Sequence, residues 1–400
     1  MDSVVAIRGR GGWPLTVFLT PELHPVWGAT YFPKNQFLNI LGRIATAWET
    51  DPAAIKQSGL QLTEYLGAQG KLTKGSTSLD EKILRSAYDQ FVADFDPQFG
   101  GFSKAPKFPP SMSLQILLRM HHRASNPKAL QIVEKTLDRM GRGGIYDHLG
   151  GGFHRYSTDN QWLVPHFEKM LYDNALLSKL YLHAYQLTQG GLYRRICEET
   201  LDYVLREMTD SQGGFYSAQD AETDAIEGKY YVWSGAEIDQ LLGENAKTYR
   251  KLFGVVDKPE FEHGNVLFRA VPLEDSIANT HQTNLVKQMH GTLLAARKKP
   301  KPPLLDDKVL TSWNGLMIRS LADGGRVLKK PEYTLAAAKA ADFLLTRLRD
   351  KSKGHLLRTY RKGKAKLHAY LVDYAFLVLS LIHISEPTRP RLISYAVFCL

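Results

Sequence analysis

Between Gly143 and Leu177 the chain reads GGIYDHLGGGFHRYSTDNQWLVPHFEKMLYDNALL, which gathers His148, His154 and His166 with Asp147, Asp173, Glu168, Arg155, Lys169 and Trp162. Imidazole takes up and returns a proton near neutral pH, so such a block suits proton transfer at a carbon beside a carbonyl, as in sugar epimerisation or isomerisation. His154 and His166 are the candidate acid and base, with Arg155 and Glu168 as orienting partners. A structural role competes at each position. His166 would cap or pack a helix opened by Pro165, and His148 would bond the glycine loop.

Hydrolysis of a glycoside is the second chemistry, because Asp220, Glu222, Asp306 and Asp307 offer the carboxylate pair that an oxocarbenium-like transition state requires. Asp220 joins His154, His166 and Glu168 as a catalytic candidate. Candidate substrate contacts are His148, Arg155, Trp162, Tyr172, Asp173, Glu222, Trp233, Asp307, Trp313 and Asn314. The tryptophans would stack on sugar rings or simply fill the core. A third reading has the same loops serve a binding module without chemistry. A metal centre is disfavoured: the histidine spacing fits no ligand motif, HFEKM is not HExxH, and no cysteine pair helps. The glycine runs lack the strand–GxGxxG–helix setting of a dinucleotide site, so no cofactor is expected.

The polar groups must be held by a sizeable scaffold. The 400 residues, 44% of them hydrophobic, suffice for two or three domains. The net charge of +10 sits in short runs, Arg297 to Lys301 and Lys351 to Lys366, without the interleaved aromatics of a base-stacking surface, which argues against nucleic acid. No apolar run approaches ~18 residues, and Asp2 directly follows Met1, so neither a membrane span nor a secretory signal is expected. Cys197 and Cys399 give no disulfide framework, which fits the cytoplasm. The expected partner is a small molecule, a carbohydrate.

Residues 14–19 and 26–32 read as a β-hairpin, followed by helices over 37–48 and 53–66 and a linker over 70–78. From residue 79 the pattern changes to paired helices, at 81–95, 112–123, 127–140, 165–188, 193–208, 285–298, 310–328, 331–349 and from 367. A punctuation recurs after alternate helices: DPQFGGFS from Asp96, DHLGGGFHRYS from Asp147, DSQGGFYSAQD from Asp210 and, more weakly, DKSKGHLLRTY from Asp350. The interval from Gly214 to Gly354 has room for two hairpin units. The fold expected is mainly α, an (α/α) barrel in which the glycine loops converge on one rim.

From Gly11 to about Val378 the chain resembles the thioredoxin-domain proteins related to spermatogenesis-associated protein 20, through GGWPLTVFLTPELHPVWGATYFP, GGFSKAPKFP, the 143–177 block, SAQDAETDAIEGKYYVW and LDDKVLTSWNGLMI. The resemblance implies a thioredoxin-like α/β domain, here its C-terminal part over residues 1–70, then a six-hairpin toroid over 79–378. That toroid is similar to N-acylglucosamine 2-epimerase and related sugar-active enzymes. The family's cysteine motif lies upstream of GGWP, and Pro14 resembles the cis-proline that faces it. Here only a short strand, Ser3 to Arg8, is expected before that region, and residues 1–70 contain no cysteine. From Leu379 the sequence LSLIHISEPTRPRLISYAVFCL departs from the family and reads as a translated sequencing adapter. Residues 379–400 are therefore expected to be non-native, the toroid incomplete, and the chain a fragment cut at both ends.

Overall fold

A computed structural model of the protein describes residues 1–70, 80–271, 280–350 and 352–385, with the side chains of 280–283 and 383–385 left aside. Two compact units divide after Glu81.

The first unit begins with helix α1 (Asp2–Arg8), where a strand was expected over Ser3–Arg8. Its β-branched residues favour a strand locally, but Asp2 in the first turn and Arg8 in the last suit the helix dipole, and Gly9 closes the helix at φ 72°. Val4 is fully buried, and its Cγ2 would lie 2.8 Å from any Cβ at Gly28, so glycine admits this close approach. The hairpin forms as read, β1 (Thr16–Leu19) pairing antiparallel with β2 (Pro25–Ala29). Helices α2 (Lys34–Thr50) and α3 (Pro52–Gln69) follow, the second capped by Asp51, whose Oδ1 accepts from the Ala54 N–H at 2.9 Å. The Trp13–Pro14 peptide is cis.

The second unit is built from helix pairs. Helices α4 (Glu81–Asp94), α5 (Ser111–Ala124) and α6 (Pro127–Arg142) precede the block singled out above. There residues 165–170, expected to open a helix, are extended. The short strands β3 (Tyr156–Ser157), β4 (Pro165–His166) and β5 (Lys169–Met170) lead into α7 (Leu171–Thr188), with α8 (Gly191–Glu207) after it. Next come β6 (Ala218–Gln219), β7 (Glu222–Thr223) and β8 (Ile226–Glu227), then α9 (Gly235–Leu242), α10 (Ala246–Phe253) and α11 (Thr280–Arg297). The last elements are β9 (Leu305–Asp306), β10 (Val309–Leu310), α12 (Thr311–Leu328), α13 (Pro331–Arg347), β11 (Leu357–Arg361), β12 (Lys364–His368) and α14 (Leu371–Ser385). Residues of the suspected adapter segment as far as Ser385 continue α14, and 386–400 lie outside the described residues.

Helices α5, α7, α12 and α14 lie side by side in that order, while α6, α8 and α13 back onto α5, α7 and α12. The inner helices α7 and α12 are buried nearly all round, as a helix covered by neighbours on both flanks and an outer layer must be. The result is the double-layered (α/α) arrangement of helical hairpins. Among its described residues the interval from 214 to 354 holds one hairpin of this double layer, α12 and α13, rather than two. The rest of it is an insertion, α9 to α11, with its own core of Ile238, Tyr249, Phe253 and Leu293.

The recurring loops share one hydrogen-bond plan. Asp96, Asp147, Asp210 and Asp350 each accept through Oδ1 from a backbone N–H two residues on, at 2.9, 3.1, 2.7 and 2.8 Å. Each aspartate carbonyl also accepts from a glycine, Gly100, Gly151, Gly213 and Gly354 respectively. All four glycines have positive φ, between 74° and 113°, which explains the repeat's glycine requirement. The strand order β5-β6-β9 then ties the loops before α7 and α12 to one rim.

Candidate functional site

In the extended segment before α7 successive side chains alternate: Pro165, Phe167 and Lys169 point inward, while His166, Glu168 and Met170 are partly exposed. His166 and Glu168 thus share a face, with Nε2 3.9 Å from Glu168 Oε2. The other imidazole nitrogen, Nδ1, lies 2.6 Å from Glu227 Oε1, delivered by β8. Tyr156 sits opposite His166 in the β3–β4 register, its ring stacked at 5.0 Å, and Phe108 lies 4.8 Å beyond it.

Arg155, beside this pair, donates from Nη1 to Asp173 Oδ2 at 2.9 Å and lies over the rings of Phe108 and Tyr172 at 5.0 and 5.2 Å. Tyr172 meets Trp313 edge-on at 4.6 Å, which brings the start of α12 to the same rim. Burial raises the Glu168 carboxyl above its usual range; His166 and Arg155 oppose the shift and nearby Asp220 adds to it. Burial also pushes Asp173 up to about 7, outweighing Arg155. The rim therefore joins Arg155, His166, Glu168, Tyr172, Asp173 and Trp313, with Asp220 at its edge.

Other expected site residues are placed in the framework. His154 is 2% exposed, its Nδ1 2.9 Å from the Phe167 carbonyl and its ring edge-on to Phe167 and Tyr231. Burial, then the charge of Lys169, holds its pKa down to about 3, and its ring packs against Phe167 and Tyr231 in the interior rather than beside His166 on the rim. His148 is buried with Nε2 3.0 Å from the Gly143 carbonyl, the glycine-loop role weighed against chemistry. Trp162 is fully buried and donates to the Phe99 carbonyl at 2.9 Å, and Trp233 belongs to the core of the α9–α11 insertion. Asn314 is spent on the backbone of Phe215. Glu222 is exposed on the β7–β8 hairpin, and Asp307 pairs with Arg361.

The sequence reading missed Glu227, Tyr156 and Phe108, which reach the rim through strand pairing, and the buried centre beneath it. There Arg297 makes a two-pronged pair with Asp147 at 2.8 and 2.9 Å, while Lys169 Nζ donates to Asp147 Oδ2 and the Gly151 carbonyl, both at 2.8 Å. Lys107 repeats this arrangement one loop earlier, donating to Asp96 Oδ2 at 2.6 Å and the Gly100 carbonyl at 2.9 Å. The repetition marks Lys169 as a loop brace, although burial brings its pKa down to about 8 against the pull of Asp147. Among the described residues no group of three or more His, Cys, Asp or Glu is arranged to hold a metal ion. No helix among them is long and apolar enough to cross a membrane.

Residues 1–67 match the family model described as "Thioredox_DsbH: Protein of unknown function, DUF255". Spermatogenesis-associated protein 20 of Homo sapiens is 34% identical, over 97% of this chain and 56% of that protein. The chain is similar to this protein over nearly all of its own length. An uncharacterized protein of Caenorhabditis elegans is 33% identical over 96% of this chain and 58% of its own length. The chain thus spans little more than half the length of these relatives. Among solved structures, the unsaturated glucuronyl hydrolase of Bacillus sp. GL1 is similar with a TM-score of 0.45 and 11% identity, covering 78% of this chain and 64% of that one.

Proposed function

We propose that the rim is a carbohydrate site whose reaction is proton transfer at the carbon beside a sugar carbonyl, with His166 taking and returning the proton. The observation that carries the reading is the His166–Glu227 contact of 2.6 Å on a partly exposed imidazole. A carboxylate on Nδ1 fixes the tautomer and leaves Nε2 as the working base. Glu168, 3.9 Å from that nitrogen and with a raised pKa, is suited to protonate the carbonyl oxygen. Tyr156, Tyr172 and Trp313 offer faces for the C–H side of a sugar ring, and Asp173 and Asp220 acceptors for its hydroxyls. A cytoplasmic setting is part of the proposal, on cysteine usage alone.

Hydrolysis of a glycoside is the second reading, favoured by one observation: Asp173, pushed up to about 7, stands within electrostatic reach of Glu168, so a protonated and an ionised carboxyl would coexist. Full-length protein incubated in D2O with free reducing sugars tests both. Deuterium entering at the carbon beside the carbonyl, lost in His166→Ala, supports proton transfer. Release of new reducing ends supports hydrolysis. Sugar binding with neither product overturns both in favour of a binding module.

A further inference from the structure

One set of charged groups deeper in the helical layer has no part in the rim. Lys179 is the ninth residue of α7 and Arg319 the ninth of α12. A 2.7 Å hydrogen bond between the hydroxyls of Ser178 and Ser320 locks the two helices together at that level. On the other flank of α7, Gln115 of α5 lies 2.8 Å from His183 Nδ1, which brings Arg119, one turn along α5, towards the same place. Lys179 is 8% exposed and has no hydrogen bond or ion pair among the described residues. The Nε atoms of Arg119 and Arg319 are buried and also lack partners.

Burial first, then Arg319 and more weakly Arg119, bring Lys179 down to about 7, with Asp323 of α12 opposing. Burial and the same cations hold His183 down to about 3. Three cations gathered in a poorly solvated space repel one another, and the cost is recovered when an anion sits among them. We propose that Arg119, Lys179 and Arg319 form a binding site for a tetrahedral oxyanion, a phosphate or a phosphate ester, between the three inner helices. Arginine contributes directional N–H donors and lysine a compact charge, the usual pairing for phosphate. The site also lies within reach of the rim: Lys179 stands six positions beyond Asp173, a rise of about 9 Å along α7. A sugar phosphate could therefore hold its ring above and its phosphate below, whereas free phosphate would use the cations alone. The site itself does not depend on the rim chemistry.

Calorimetric titration of the full-length protein with inorganic phosphate at pH 7, at constant ionic strength with chloride as control, is the test. One saturable site is expected, weakened at least about tenfold in Lys179→Gln and in Arg319→Gln. Glucose 6-phosphate binding more tightly than phosphate assigns the site to an ester, and equal affinity assigns it to the free anion; either supports the proposal. Should Lys179→Gln fail to fold, Arg119→Gln, at a partly exposed position, carries the comparison. No saturable binding of either ligand, or undiminished affinity in the variants that fold, overturns it.

Discussion

Asn174 and Asn314 make the same set of hydrogen bonds from the same turn of two different inner helices. Asn174 Oδ1 accepts from the Phe153 N–H at 2.7 Å while its Nδ2 donates to the carbonyls of Phe153 and Met170. Asn314 repeats this with Phe215 at 2.7 Å and with the carbonyls of Phe215 and Leu310. Each asparagine closes the backbone of a glycine-rich loop onto the helix that follows, so the repeat is held by polar staples as much as by apolar packing.

Replacing Asn314 by alanine strands the buried N–H and carbonyl of Phe215. With about 1–3 kcal/mol for each unsatisfied buried group, a loss of about 2–4 kcal/mol is expected in urea unfolding. A loss below about 0.5 kcal/mol, the range of a neutral surface change, would show that the staple is dispensable.

Asp147 poses a different problem, because it neutralises two buried cations. Burial alone would raise its pKa, but Arg297 and Lys169 hold it well below the usual range. Asp147→Asn leaves both cations uncompensated and should cost about 3–5 kcal/mol. Asp350→Asn, in the equivalent but exposed loop, should cost far less. The sign in pH follows from the depressed folded pKa. The stabilisation is complete above the unfolded value near ~3.9 and is lost as pH falls towards the lower folded pKa. Equal losses in the two variants would count against this account.

His154 has the opposite linkage. Its folded pKa of about 3 lies below the unfolded value, so between those values the unfolded chain binds more protons. Stability should therefore fall as pH drops from about 6.5 towards 3, and His290, also near 3, adds to the slope. In His154→Gln the slope of unfolding free energy against pH over this window should be visibly shallower. An unchanged slope would place the titration elsewhere.

Much of the scaffold was legible because its physics is local. The Asp and Gly of each loop satisfy backbone groups a few residues away, and helix periodicity marks α5, α6, α8, α12 and α13 to within a few residues. What escaped depends on parity or on distant partners. His154 and His166 look alike in sequence, yet one faces Tyr231 in the interior and the other faces Glu227 on the rim. Glu227 lies 61 residues from His166 and reaches it only through the β7–β8 hairpin. The insertion α9–α11 was read as room for another hairpin because its separate core leaves no mark in spacing.

That distant partner supplies the most discriminating test of the rim. Glu227 Oε1 meets His166 Nδ1 at 2.6 Å and accepts from the Phe167 N–H at 3.3 Å, so it acts on the reacting atoms only through the imidazole it holds. Glu227→Gln keeps an oxygen in place but removes the charge that steadies a protonated imidazole. If His166 is the base, kcat for solvent exchange should fall by about 10- to 100-fold, within the range general-base catalysis supplies, while KM stays within about twofold. Unfolding free energy should change by no more than about 1 kcal/mol, since the pair is partly solvated. A rise in KM with kcat untouched would make Glu227 a binding group, and a large loss of stability with kcat unchanged would reduce the His166–Glu227 pair to a strut for the hairpin.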